Sequence, residues 1–183
     1  ALPLFLNICG DNKDRVLESL IKDIQSHGNR LTTGDVGNRY LIQALVENNK
    51  DSIVFAMFNH YETPGYGFQM LQGATTLTEQ WDPRHGTSWN HFMMGQLDEW
   101  LFRSVAGIKQ KEKTHGMKHL IISPHFIGDI TSIEASTKTL YGTVSINATK
   151  SEITASIPVG CSAEITAPDG TIHSVGSGIW NFK

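Results

Sequence analysis

Cysteine is scarce in this sequence. Two occur among 183 residues, Cys9 and Cys161, and neither belongs to a C-x-x-C pair. The chain therefore reads as carrying two separate thiols, with no disulfide framework and no zinc ribbon. A strong charge imbalance is missing as well: 15 Lys and Arg against 18 Asp and Glu give a net charge of -3. That balance offers no electrostatic footprint for nucleic acid or an anionic membrane, and neither is expected as a partner. No apolar run approaches the roughly 18 residues that a membrane-spanning helix needs. His85 and His91, with Asp82 nearby, match no H-E-x-x-H spacing, so no metal site is expected. An initiator Met and a basic leader region are absent too. Ala1 to Leu6 reads as the apolar end of a helix begun earlier, so an upstream part of the same polypeptide is an expected partner.

What is present is ordinary globular composition, 39% hydrophobic and 18% charged. The hydrophobic period changes near residue 108. Before it, Val16, Leu17, Leu20, Ile21 and Ile24 form one helical face, with Asp11 as candidate cap and Gly28-Asn29 as the stop. Further helices are expected over about 37–48, 52–60 and 88–106, the last with Phe92, Leu97, Trp100, Leu101 and Val105 facing inward. Residues 63–76 read as a glycine-rich loop. After residue 116 the period drops to two, and strands are expected over 117–123, 130–137, 142–148, 153–157, 162–166 and 177–182. The basic run within 109–116 reads as a linker. The plan is thus α plus β in separate domains: helices over 1–108 that do not close a core by themselves, then a small β-sandwich over 117–183.

Residues 64–91 gather the side chains that carry chemistry. Tyr66, Phe68, Glu79, Trp81, Asp82, His85, Trp89, Asn90 and His91 all lie there. Aromatic faces suit the C–H faces of a sugar ring, and carboxylates, amides and imidazoles suit its hydroxyls, although many other pockets share that composition. Glu79, between Thr78 and Gln80 with Trp81 next, is the acid singled out, because a carboxylate against an indole can be tuned for proton transfer. The same local sequence fits a surface acid at an early helix turn. Asp35, after Thr33-Gly34, reads first as a helix cap and second as a pocket residue.

Several stretches resemble one family throughout. They are Leu31-Thr32-Thr33-Gly34-Asp35-Val36-Gly37-Asn38-Arg39-Tyr40, Pro64-Gly65-Tyr66-Gly67-Phe68, Gly73-Ala74-Thr75-Thr76-Leu77-Thr78-Glu79-Gln80-Trp81 and Ser88-Trp89-Asn90-His91-Phe92-Met93-Met94-Gly95, followed by Glu99-Trp100 and Ala106-Gly107-Ile108. In order and spacing these are similar to the C-terminal part of the bacterial α-L-rhamnosidases, glycoside hydrolase family 78. The resemblance implies the last helices of a six-fold α/α toroid barrel followed by a small antiparallel β-sandwich. It implies hydrolysis, with inversion, of terminal α-L-rhamnosides, a chemistry that requires no metal or organic cofactor, so a rhamnose-containing glycoside or polysaccharide is the implied partner. Glu79 would be the general base, and His91, Trp81 and Tyr66 would bind substrate. The general acid would lie upstream, so these residues alone would be inactive. The chain departs from many members at Leu77 and at Tyr66, where they carry Trp, and that bears on which sugar hydroxyls meet polar groups. The alternative is a non-catalytic carbohydrate-binding or structural module.

Overall fold

The computed structural model describes residues 1–85 and 88–183. The chain divides into two compact units, Ala1–Asp98 and Glu99–Lys183.

The first unit is helical: α1 (Leu2–Phe5), a 3-10 turn (Gly10–Asn12), α2 (Lys13–Ser26), α3 (Asp35–Glu47), α4 (Asp51–Phe58), α5 (Tyr66–Leu71) and a second 3-10 turn (Phe92–Met94). Helix α2 has one wet face and one apolar face, and only Ile24 on it is fully buried. It ends as its sequence implies. Gly28 and Asn29 take positive φ, and the Asn29 N–H reaches back 2.9 Å to the Ile24 carbonyl. Asp11 is not its cap: it sits inside the 3-10 turn, Asn12 holds the cap position, and no side chain caps the helix. The core lies on α3, where Leu41, Ile42, Ala44 and Leu45 are buried, with Val54 and Met57 of α4. Helix α1 packs on α3, the Phe5 and Tyr40 rings standing 4.9 Å apart.

Two expectations fail here. Residues 63–76 hold the helix α5, and residues 88–91 are not helical. Gly65 and Gly67 serve contact rather than flexibility. A Cβ on Gly67 would run into the His60 carbonyl, and one on Gly65 would sit 2.9 Å from the Glu62 carbonyl. Residues 88–91 instead pair with 76–79: Glu79 N–H donates to Ser88 O at 3.0 Å, His91 N–H donates to Leu77 O at 2.8 Å, and Thr76 Oγ1 donates to Trp89 O. Those bonds take backbone groups a helix would have used. Phe92, expected inward, is 80% exposed.

Helix α6 (Gln96–Trp100) is followed by a π-helical turn (Leu101–Val105). Eight strands then form two sheets: β1 (Ile108–Gln110), β2 (His119–Ile122), β3 (Ser132–Thr139), β4 (Gly142–Thr149), β5 (Glu152–Ile157), β6 (Ser162–Thr166), β7 (Ile172–Val175) and β8 (Gly178–Phe182). The sheet orders are β1-β2-β6-β7 and β3-β4-β5-β8. Burial alternates as the period of two demands: Val144, Ile146 and Ala148 on β4, Ile153, Ala155 and Ile157 on β5, Ala163 and Ile165 on β6. The sandwich is not wholly antiparallel, because β2 pairs with β6 in parallel, Leu120 opposite Ala163. The basic run read as a linker begins inside β1, where Lys109 pairs with Ile121. Three residues are too few for alternation to announce a strand. Both cysteines are free thiols, Cys161 buried and Cys9 partly so.

Candidate active site

The site lies in the helical unit, around the N-terminal end of α3. Three chain segments meet there: the approach to α3 at 33–35, the irregular run 76–81, and residues 88–91. Hydrogen bonds fix each to the others. The Trp81 indole N–H donates to Thr33 O at 2.9 Å. His91 Nε2 lies 3.2 Å from Asp35 Oδ2. The backbone pairings of Glu79 and His91 join the second segment to the third. The expected residues Glu79, Trp81 and His91 thus stand on one locally crosslinked scaffold, each partly exposed.

Asp35 occupies the first helical position of α3. Its Oδ1 accepts the Val36 N–H at 2.8 Å while Oδ2 faces the imidazole. The His91 bond, then the Val36 bond, hold its carboxyl below the usual carboxylate range. An ionised partner at Nε2 favours the tautomer with its proton there and leaves Nδ1 as an acceptor for another group. Sequence reasoning put Asp35 first as a cap. The one signal that could have raised it is its place in the Thr33-Gly34-Asp35 stretch.

Tyr66 sits differently. It is 5% exposed, its hydroxyl donates to Met94 O, and it accepts from Asn38 Nδ2 at 3.2 Å. Burial pushes its pKa up to about 12. Its ring meets Trp81 edge-to-face, 5.0 Å between centroids at 87°, and meets Phe58 at 5.3 Å. Asn38 is fully buried and also donates to Gln96 Oε1 at 2.8 Å. Gln69, buried on α5, donates to Thr78 Oγ1 at 2.8 Å and to Gln80 O at 3.1 Å, bracketing Glu79 from below in sequence and above. Asn38, Gln69 and Gln96 were not visible as site residues in the sequence, because polar residues on apolar helix faces carry no period of their own.

The remaining candidates do other things. Arg84 makes a two-pronged pair with Asp82 at 2.8 and 2.7 Å, which brings the Asp82 carboxyl down to about 2, and its guanidinium lies 5.6 Å over the Phe68 ring. His85 is exposed and only 3.7 Å from Asp82. Among the described residues, no group of three or more His, Cys, Asp or Glu could hold a metal ion. The site offers a carboxylate, an imidazole with a fixed partner and an indole wall. That set suits proton transfer beside a hydroxyl-rich ligand.

Residues 1–105 match the sequence profile of the bacterial alpha-L-rhamnosidase 6 hairpin glycosidase domain, and residues 107–178 match that of the bacterial alpha-L-rhamnosidase C-terminal domain. An alpha-L-rhamnosidase from Streptomyces avermitilis is 26% identical over 181 residues, covering 91% of this chain and 17% of the relative. The solved alpha-L-rhamnosidase from Dictyoglumus thermophilum superposes with a TM-score of 0.87 at 29% identity, over 98% of this chain and 24% of that one. The Streptomyces avermitilis alpha-L-rhamnosidase complexed with L-rhamnose does so with a TM-score of 0.87 at 25% identity, over 100% and 21%. The chain therefore spans about a fifth of the length of the relatives it matches.

Proposed function

Because the chain belongs to the bacterial α-L-rhamnosidase family, through its six-hairpin glycosidase and C-terminal domains, we propose that it serves a protein that hydrolyses terminal α-L-rhamnosides with inversion. Glu79 is the general base of that reaction. Its carboxylate takes a proton from a water molecule as the water oxygen bonds to the anomeric carbon. The bond from that carbon to the leaving oxygen breaks on the opposite face. There a carboxylic acid from an upstream part of the same polypeptide supplies the second proton. The two carboxyl groups of an inverting pair stand roughly 6.5–9.5 Å apart, which leaves room for the water.

The other residues follow from their surroundings. His91, held through Nε2 by Asp35, presents Nδ1 to a hydroxyl of the rhamnose ring. Trp81, tethered through its indole nitrogen, gives the ring an apolar wall. Tyr66 contributes from behind, its edge against the indole, and so fixes where that wall stands. The observation that carries this reading is the crosslinking of the 33–35, 76–81 and 88–91 segments, which brings Glu79, Trp81 and His91 onto one frame.

The test is rhamnose release from a chromogenic α-L-rhamnoside by the full-length parent, with Glu79 intact and as Gln. General-base loss lowers turnover by roughly 10²- to 10⁴-fold, with sugar binding retained. Turnover near the parent's would remove Glu79 from the mechanism. A parent that binds rhamnose without releasing it would make the protein a carbohydrate-binding module instead.

A further inference from the structure

One buried side chain beside Glu79 has no part in the proposed mechanism. Gln69, on α5, is 3% exposed. Its amide nitrogen donates to Thr78 Oγ1 at 2.8 Å and to Gln80 O at 3.1 Å. The hydroxyl of Thr78, a fully buried residue, donates to the same Gln80 carbonyl at 2.8 Å. The three bonds close a triangle, and the residue it spans between Thr78 and Gln80 is Glu79. We infer that Gln69 is a positioning residue for the general base: through this triangle it sets the direction in which the Glu79 carboxylate is aimed. The inference rests on the rhamnosidase reading, with Glu79 as its base, and adds to it a residue that acts through that base.

The hydrogen count of the triangle leaves no slack. The amide spends both its hydrogens, the hydroxyl accepts one bond and donates one, and the carbonyl accepts two, one for each lone pair. On the other side the Glu79 N–H donates to Ser88 O at 3.0 Å. The backbone around the base is therefore held at the N–H of Glu79 and again at the carbonyl of Gln80. Helix α5 gives the amide a fixed footing. Gly65 and Gly67 press against the 60–62 backbone with no room for a Cβ, and at the far end Gln69 O accepts the Ala74 N–H at 3.0 Å. Tyr66, three residues earlier on the same helix face, backs the Trp81 indole. One short helix thus locates both the base and the apolar wall.

The fold itself does not demand this amide. Without Gln69 the Thr78 hydroxyl and the Gln80 carbonyl would still be bonded to each other, so an apolar side chain of the same length could fill the place and leave neither of them unpaired. Burying an amide costs desolvation that such a side chain avoids. What the two extra bonds add is a fixed direction. A base that must meet a water beside the anomeric carbon needs that, because a misplacement of about 1 Å costs about 100-fold in rate.

The experiment measures hydrolysis of an aryl α-L-rhamnoside, and calorimetric binding of L-rhamnose, by the full-length parent and its variants. Gln69→Met keeps the length of the side chain and removes both donors. It should lower kcat about 10- to 100-fold while KM and the L-rhamnose affinity stay within about threefold. The same change made in the Glu79→Gln protein should cost less than about twofold, because no base is left to position. Thr78→Val opens the triangle at the hydroxyl and should also lower kcat, and Thr78→Ser, which keeps the hydroxyl, should recover most of that loss. This pair decides the matter if Gln69→Met does not fold. Parental kcat in Gln69→Met, a loss of equal size with and without Glu79, a rise in KM alone, or Thr78→Ser no better than Thr78→Val would overturn the inference while the rhamnosidase reading stands. Parental turnover in Glu79→Gln itself would instead remove the base, and this inference with it.

Discussion

Replacing Tyr66 by Phe takes away one oxygen atom, and its effect should change sign with pH. Near neutrality the hydroxyl's bond to Met94 O and the bond it receives from Asn38 are both lost. One carbonyl and one amide N–H are left short inside the unit. A net bond is worth about 1 kcal/mol and a buried group without its partner costs about 1–3 kcal/mol, so the variant should be less stable by about 2 kcal/mol. At alkaline pH the balance turns. Burial raises the folded-state pKa to about 12, whereas an unfolded tyrosine titrates near about 10. The native state then holds this proton more tightly than the unfolded one does. The stability it contributes is complete below about pH 10 and is lost as pH climbs through the folded value. Two pH units at about 1.4 kcal/mol each make that loss about 3 kcal/mol, and Phe has no proton to lose. Urea unfolding of the intact protein, followed by indole fluorescence in steps from about pH 8 to 12, measures it. Trp81 is a local reporter, its ring 5.0 Å from Tyr66. The wild-type advantage should shrink through zero across the window. A constant difference between the two proteins would refute the reasoning. Activity of the Phe variant at neutral pH should stay within about twofold of wild type. A large loss would mean that the hydroxyl meets the ligand directly.

Asp35→Asn removes the charge opposite His91 while keeping the side chain's shape. It should raise KM for an aryl rhamnoside about tenfold and leave kcat less affected, because Asp35 acts through the imidazole. An unchanged KM would separate Asp35 from the site. The same variant tests an acid-side effect. The Asp35 carboxyl is held below its ordinary value by the His91 bond, so its contribution to stability is present above that ordinary value and is lost as pH falls through the depressed one. Thermal midpoints at falling pH should drop more steeply for wild type than for the Asn variant, and parallel curves would contradict it. In the sandwich, Ile165 on β6 is fully buried, and Ile165→Ala should cost about 2–5 kcal/mol in chemical denaturation. A cost under about 1 kcal/mol would mean that the strand repacks freely.

The parts of the fold that a local period can announce were legible in the sequence. Strands β3 to β6 alternate more and less buried residues over five positions or more, and α2, α3 and α4 each present an apolar face. Elements defined by a distant partner were not. Helix α5 hides behind Gly65 and Gly67, whose reason is the His60–Glu62 backbone lying against them. The run at 88–91 has helical spacing around it, yet its backbone belongs to residues 76–79. β1 and β7 are three and four residues long, below what alternation can mark. For the candidate site, Glu79, Trp81 and His91 fall within one short stretch, and it is the family resemblance that singles them out. The tie from His91 to Asp35 spans 56 positions, and a carboxylate at a helix start looks the same whether it caps the helix or orients an imidazole.

The parallel pairing of β2 with β6 has a consequence for the order in which a ribosome releases this chain. β3, β4 and β5 follow one another in sequence and in their sheet, so each of their ladders closes as soon as its second strand emerges. β2 must wait. His119 meets Ser162 only after 43 further positions have been translated, and β1, paired to β2, waits on a neighbour that has itself no inner partner. During that interval the meander of β3 to β5 stands ready while Leu120 and Ile122 remain uncovered by β6. Nonlocal closure of this kind is slow and leaves sticky edges open. Arrest of translation between Ile157 and Ser162 is therefore the point at which nascent chains of this protein should depend most on a chaperone.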